Sequence, residues 1–155
     1  MVWINNSLEM FKTQAEFEKW LGEMESTLEQ FKKIVPPNVS EYLDFSFDSA
    51  TILETWLLER YHDYHEITVP QEWAFWDGSA RYVGETLRKR LGGHWETVLD
   101  RRKNVSFRLP RLNGFSAKST PETPHYLITA AIARHQPGYI RKVLDGTVLV
   151  ESKWE

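Results

Sequence analysis

Histidines and carboxylates crowd together once in this chain, at His62, Asp63, His65 and Glu66. Such side chains hold zinc or another divalent ion when three or four of them converge. His62 and His65 share a helical face only if one helix runs through both. The run His65-Glu66-Ile67-Thr68-Val69 also lacks the second histidine of the zinc-protease motif, and a solvated helix end accounts for the same residues. A second set pairs an acid with a base. Glu85 lies at the edge of an apolar helical stripe, and His94 follows just past that helix. A carboxylate at such an edge suits a general base. It equally suits an ion pair with Arg81 or Lys89, each four positions away. These two sets define an enzymatic alternative: a small hydrolase or metal-dependent enzyme using Glu85 with His94, or His62 with His65.

Other chemistries find less support. Gly92-Gly93 follows a helix, whereas a phosphate-binding loop lies between a strand and a helix. No Gly-x-Ser-x-Gly elbow occurs. The chain has no cysteine, which excludes disulfides, thiolate metal sites and cysteine nucleophiles and fits a cytoplasmic location. No cofactor is implied. Arg101, Arg102, Lys103, Arg108, Arg111 and Lys118, interleaved with Phe107 and Phe115, give a nucleic-acid alternative, since cations track phosphates and rings stack bases. An isoelectric point near 6.0 argues against a dedicated nucleic-acid binder.

A protein partner accounts for more of the composition. Seven Trp, 8 Phe and 6 Tyr in 155 residues exceed what one small core takes up completely. Trp3, Phe75 and Trp154 fall outside the helical stripes and are the expected exposed anchors, with Arg101, Arg102 and Lys103 as a charged contact. Residues 1–66 carry 13 acids and 5 bases, a net of −8, whereas residues 67–155 carry 9 acids and 14 bases, a net of +5. Two halves facing apart would orient a partner electrostatically. No apolar run is long enough to cross a membrane, and Met1 to Met10 lacks a basic flank followed by an apolar signal core.

Several elements must position these residues. A helix is predicted over 13–33, opened by the Thr13/Glu16 capping box, striped by Phe17, Trp20, Leu21, Met24, Leu28 and Phe31, and stopped by Pro36-Pro37. Tyr42 to Phe45 reads as extended. A second helix starts at Ser46 or Asp48 and ends near His62. The third, about 70–91, has Trp73, Trp76, Ala80, Val83, Gly84, Leu87 and Leu91 on one face and Gly92-Gly93 as its cap. The small pair Ala80 and Gly84 predicts close approach by a helix or a sheet. Residues 95–99 and 105–109 read as a hairpin with a basic tip. Thr123-Pro124 opens another helix. A short helix through Ile140 and Val143, an Asp145-Gly146 turn and a strand over 147–151 close the chain. The expected fold is a single α+β domain over 1–155, with four or five helices packed on a small, largely antiparallel sheet.

The tract Tyr82-Val83-Gly84-Glu85-Thr86-Leu87-Arg88, then Leu91-Gly92-Gly93-His94-Trp95, resembles one in small bacterial proteins, some of which look like immunity proteins of polymorphic-toxin systems. Leu43-Asp44-Phe45-Ser46 upstream is similar too. The likeness covers about residues 40 to 150 in outline. It implies a cytoplasmic, non-enzymatic protein that binds and neutralises a partner toxin, with Gly84, Glu85, Gly92, Gly93 and Trp95 in structural roles.

Overall fold

The computed structural model describes residues 2–4, 7–115 and 120–152, with side chains over 8–115 and 120–150 and at Ser152. Of the predicted contact residues, Trp154 and Lys118 lie outside these residues, and Trp3 is described in its backbone alone. The elements are β1 (Val2–Ile4), β2 (Ser7–Glu9), α1 (Gln14–Gly22), α2 (Met24–Ile34), α3 (Pro37–Ser40), α4 (Phe47–Arg60), α5 (Tyr64–Ile67), α6 (Trp73–Leu91), β3 (His94–Glu96), β4 (Arg111–Asn113), α7 (Pro124–Arg134) and α8 (Tyr139–Ser152). The α+β class therefore holds, but with eight helices among the described residues rather than four or five. The strands form two separate antiparallel pairs, β1 with β2 and β3 with β4, and no single sheet underlies the helices among the described residues. What the helices pack on is another helix.

That helix is α6. Every residue from Trp76 to Leu87 is buried, so the single apolar stripe expected here is in fact a core helix covered on all sides. Helices α2, α4, α5, α7 and α8 all pack against it. The predicted close approach at Gly84 is made by β3. A Cβ on Gly84 would stand 2.2 Å from the Trp95 ring and 3.1 Å from Pro124, so only a bare backbone admits the indole. Gly92 ends α6 at φ 82° and ψ −137°, a conformation essentially confined to glycine.

Local capping rules place the other helix starts. Thr13 Oγ1 accepts the Glu16 N–H at 3.2 Å, and Ser46 Oγ accepts that of Ser49 at 3.1 Å. The helix predicted over 13–33 is two helices, broken at Glu23 behind the poor helix former Gly22. Tyr42 to Phe45 is a tight turn, not extended: the Tyr42 N–H bonds to Val39 and the Asp44 N–H to Tyr42. The predicted hairpin is also corrected. Strand β3 pairs with β4, placing Trp95 opposite Leu112, and 97–110 is an irregular excursion that exposes Arg101, Arg102 and Lys103.

The predicted C-terminal strand over 147–151 belongs instead to α8. Ile140 and Leu144, one turn apart, are fully buried. Glu54, fully buried on α4, accepts the backbone N–H groups of Tyr139 at 3.1 Å and Ile140 at 2.9 Å, placing a carboxylate at the positive end of the helix. Burial raises the Glu54 pKa. The two charge halves of the chain meet in three ion pairs. Glu9–Arg108, Asp48–Arg141 and Arg60–Glu72 join them across the fold. No helix among the described residues is long and apolar enough to cross a membrane.

Two glycine substitutions separate these assignments. Gly146 sits in α8 with open space where a Cβ would be, so Gly146→Ala stabilises by roughly 0.5–1 kcal/mol in urea unfolding. A turn followed by a strand would give no gain. Gly84→Ala meets Trp95 and costs about 1–3 kcal/mol. An unchanged urea midpoint for Gly84→Ala would contradict the packing of β3 on α6.

Candidate functional site

Asp77, Arg81 and Glu85 are spaced four apart on α6 and so line one side of it, at 5%, 3% and 7% exposure. Buried charges require partners. Arg81 Nε donates to Asp77 Oδ2 at 2.8 Å, and Arg81 Nη1 donates to the Trp20 carbonyl at 2.9 Å. The guanidinium also lies 4.1 Å from the Trp20 ring. Asp77 Oδ1 accepts the Trp20 indole N–H at 3.0 Å and lies 2.8 Å from His125 Nε2. With Asp77 ionised, that imidazole nitrogen carries the proton and donates. Burial works against the charge on Asp77, but the His125 hydrogen bond, the Arg81 guanidinium and the Trp20 indole outweigh it and hold its pKa below the ordinary value.

His125 is fully buried. The rings of Trp20, Trp73 and Trp76 surround it with centroids 5.8–6.2 Å away, and Nδ1 has no hydrogen-bond partner among the described residues. An Asp–His pair of this geometry resembles the base of a hydrolytic triad. Here the imidazole is fully buried, and the arrangement ties α1, α6 and α7 together. Sequence reasoning missed Asp77, Arg81 and His125 as a set. The available signal was the spacing of acid, base and acid four apart inside a Trp-rich helical run.

Glu85 closes the outer end of the same row. It accepts the Trp95 indole N–H at 3.0 Å and a bidentate pair from Arg88 at 2.5 and 3.1 Å. Burial opposes its charge, yet these hydrogen bonds, with the charges of Arg88 and Lys89, lower its pKa. A depressed pKa with its lone pairs engaged makes a poor general base at neutral pH. His94, the predicted partner, is exposed and instead contacts Glu96 at 3.1 Å. The expected Glu85–His94 pair is therefore not assembled.

Beside Glu85 a cleft of about 450 Å³ opens between α2 and α6. Leu21, Met24, Leu28 and Phe45 supply its apolar lining; Glu25, Glu29, Lys32, Arg88 and Lys89 supply the charge. Phe45 has φ 64°, a left-handed conformation that costs a bulky residue about 1–2 kcal/mol. Tyr82 holds it there: its hydroxyl accepts the Phe45 N–H at 2.8 Å and its ring stacks on the phenyl at 5.0 Å. Lys32 Nζ and Lys89 Nζ stand 5.2 and 4.8 Å from the Phe45 ring centroid.

The remaining predicted residues scatter. His65 Nδ1 contacts Asp63 Oδ1 at 2.7 Å, and Asp63 and Glu66 form the capping box of α5. The ring of His62 lies 6.2 Å from that of His135. No trio of His, Asp or Glu able to hold a metal gathers among the described residues. Phe75 is a half-buried ring against Trp56 at 5.6 Å, under the Arg60 guanidinium at 4.4 Å, and not the exposed anchor expected. In the basic stretch, Arg108 pairs with Glu9 and Arg111 with Glu96, and Phe107 is buried beneath Arg108. Arg101, Arg102 and Lys103 are left as its exposed cations among the described residues. Gly84, Glu85, Gly92, Gly93 and Trp95 form the joint between α6 and β3. No family model, curated protein or solved structure matches the chain.

The Asp77 network has a definite pH sign. Asp77 and Glu85 release their protons more readily folded than unfolded. Their contribution is complete above ordinary carboxylate pKa values and is lost as pH falls through the depressed folded ones. Asp77→Asn keeps the shape but leaves the Arg81 guanidinium uncompensated. It is expected to cost about 3–5 kcal/mol at neutral pH and to flatten the stability loss on acidification. Urea titrations at neutral and acidic pH read both effects. A variant that loses stability in acid as steeply as the parent would remove Asp77 from this account.

Proposed function

We propose that the chain is a non-enzymatic protein-binding module of bacterial type, working in the cytoplasm as an immunity protein that neutralises a partner toxin by occluding its active site. One observation carries the reading. The α2–α6 cleft combines an apolar lining with Glu25, Glu29, Lys32 and Lys89, none of which has an ion-pair partner among the described residues. Protein interfaces pair an apolar centre with charged groups that steer and select the partner. The acid–base groups along α6 and at the start of α7 are engaged internally: His125 is sealed, Asp77 is saturated, and Glu85 is held by Arg88 and Trp95. The tract that resembles immunity proteins falls in the α6–β3 joint, which suits a fold signature and leaves recognition to the surface beside it.

The test is co-expression of the chain with the toxin candidate encoded beside it. The reading expects growth to be restored and the two proteins to co-elute as a stable complex on gel filtration. Growth arrest that persists, with no specific protein recovered on the chain from a source-cell lysate, would count decisively against neutralisation.

A further inference from the structure

We infer that the α2–α6 cleft receives a dipolar segment of the partner protein, one that places a carboxylate between the Lys32 and Lys89 ammonium groups beside Phe45 and a cationic side chain beside α2. This rests on the protein-binding reading and specifies the chemistry of the contact. Besides the internally paired Glu85 and Arg88, two like-charge pairs line the cleft. Lys32 and Lys89 both direct ammonium groups at the Phe45 ring, 5.2 and 4.8 Å from its centroid, so they stand no more than about 10 Å apart. Glu25 and Glu29 are one turn apart on α2, about 5–6 Å between their Cβ atoms. Each pair repels itself until an opposite charge comes between its members. Elsewhere nearby this chain neutralises its own charges, as Arg88 does Glu85 and Arg81 does Asp77. The four cleft charges without a close ion pair are segregated, the acids toward the start of α2 and the lysines at Phe45.

Geometry sets the spacing. Glu25 and Lys32 are seven residues apart on α2, about 10 Å along the helix axis. With the cation between Glu25 and Glu29, the matching partner segment carries its acid and its base roughly 7–10 Å apart, as one to two turns apart on a helix or two to three residues apart in an extended chain. Met24, Leu28 and Phe45 between them call for an apolar side chain in the middle. A cleft of 450 Å³ is in the range that holds a small ligand or a few side chains, so it reads a short motif. Phe45 is the fixed platform. Its left-handed backbone is maintained by Tyr82, itself fully buried on α6, and strain of this kind is held where a side chain must be presented.

Selection of a phage-displayed library of random 12-residue peptides on the purified chain tests this directly. The expected winners carry an acid and a base at the stated spacing around an apolar residue. A synthetic winner, titrated by calorimetry, should lose about tenfold or more in affinity, 1.4 kcal/mol, on Lys32→Glu/Lys89→Glu. It should lose a similar amount on Glu25→Lys/Glu29→Lys. Each double variant should select peptides lacking the charge whose site was reversed. The two pairs give independent readings, so a folding defect in one leaves the other decisive. Winners without the dipolar pattern, no winners at all, or equal binding to both variants would overturn the proposal. So would a dimer of the chain that Lys32→Glu/Lys89→Glu dissolves, since the occupant would then be a second copy. A Lys32→Glu/Lys89→Glu chain that still neutralises its toxin keeps the functional reading and discards this cleft. Dipolar peptides bound by a chain that protects nothing do the reverse.

Discussion

Asp77 and Arg81 sit near the middle of the chain's central helix with almost no access to water. Uncompensated, each would cost several kcal/mol. The surrounding elements are arranged to prevent that. Trp20 alone contributes an indole N–H to Asp77, a carbonyl to Arg81 and a ring face beneath the guanidinium. His125 supplies the other donor to Asp77. Helix α1 and helix α7 are therefore fixed relative to α6 by directional bonds, beyond any general preference for apolar contact. The condition extends outward. Trp20 meets Trp95 edge to face at 5.1 Å, Trp95 donates to Glu85, and the indole occupies the space a side chain at Gly84 would take.

The parts legible in the sequence were those whose physics is local. Thr13, Ser46 and Gly92 mark helix ends because a cap needs only its own turn. The parts that were not legible depend on distant partners. Asp77, Arg81 and Glu85 on α6 and Glu25 and Glu29 on α2 share the same four-residue spacing, but the first set is interior and the second lies in water. Spacing defines a face without saying what covers it. Thr147 to Val150 has strand propensity, yet Ile140 and Leu144 bury at helical spacing and Glu54, 85 residues before Tyr139, caps the start of α8. At the site, Glu85 was visible as a residue while its partners Arg88 and Trp95 were not. Nothing local announces that Phe45 is left-handed, because Tyr82 imposes it from 37 positions away.

The same long-range pairing bears on the nucleic-acid alternative. A basic stretch suits a phosphate backbone when its cations are free and its rings are open. Here Glu9 and Glu96 engage Arg108 and Arg111, and Phe107 lies beneath a guanidinium. A motif counted in sequence is thus divided in space, and of its exposed remainder, Arg101 to Lys103, Arg102 lies 5.6 Å from the ring of the buried Phe107.

Position along α6 sorts its charges by how completely the fold answers them. Asp77 and Arg81 are sealed and saturated. Glu85, one turn on, is bonded on one side and borders the cleft on the other. Arg88 is half-exposed, and Lys89 is exposed and acts on Glu85 only through its charge, without a close ion pair among the described residues. The order follows from the helix itself: its middle is enclosed by five others, while its last turn emerges where cations complement the dipole. Tyr82 lies within the enclosed span yet holds Phe45 at the cleft. The rigidity of the interior is thereby passed to the surface through one hydrogen bond and one stacked ring. What is fixed in this way is the Phe45 ring, whereas the exposed Glu25, Glu29 and Lys89 side chains beside it keep the rotamer freedom of long side chains in water.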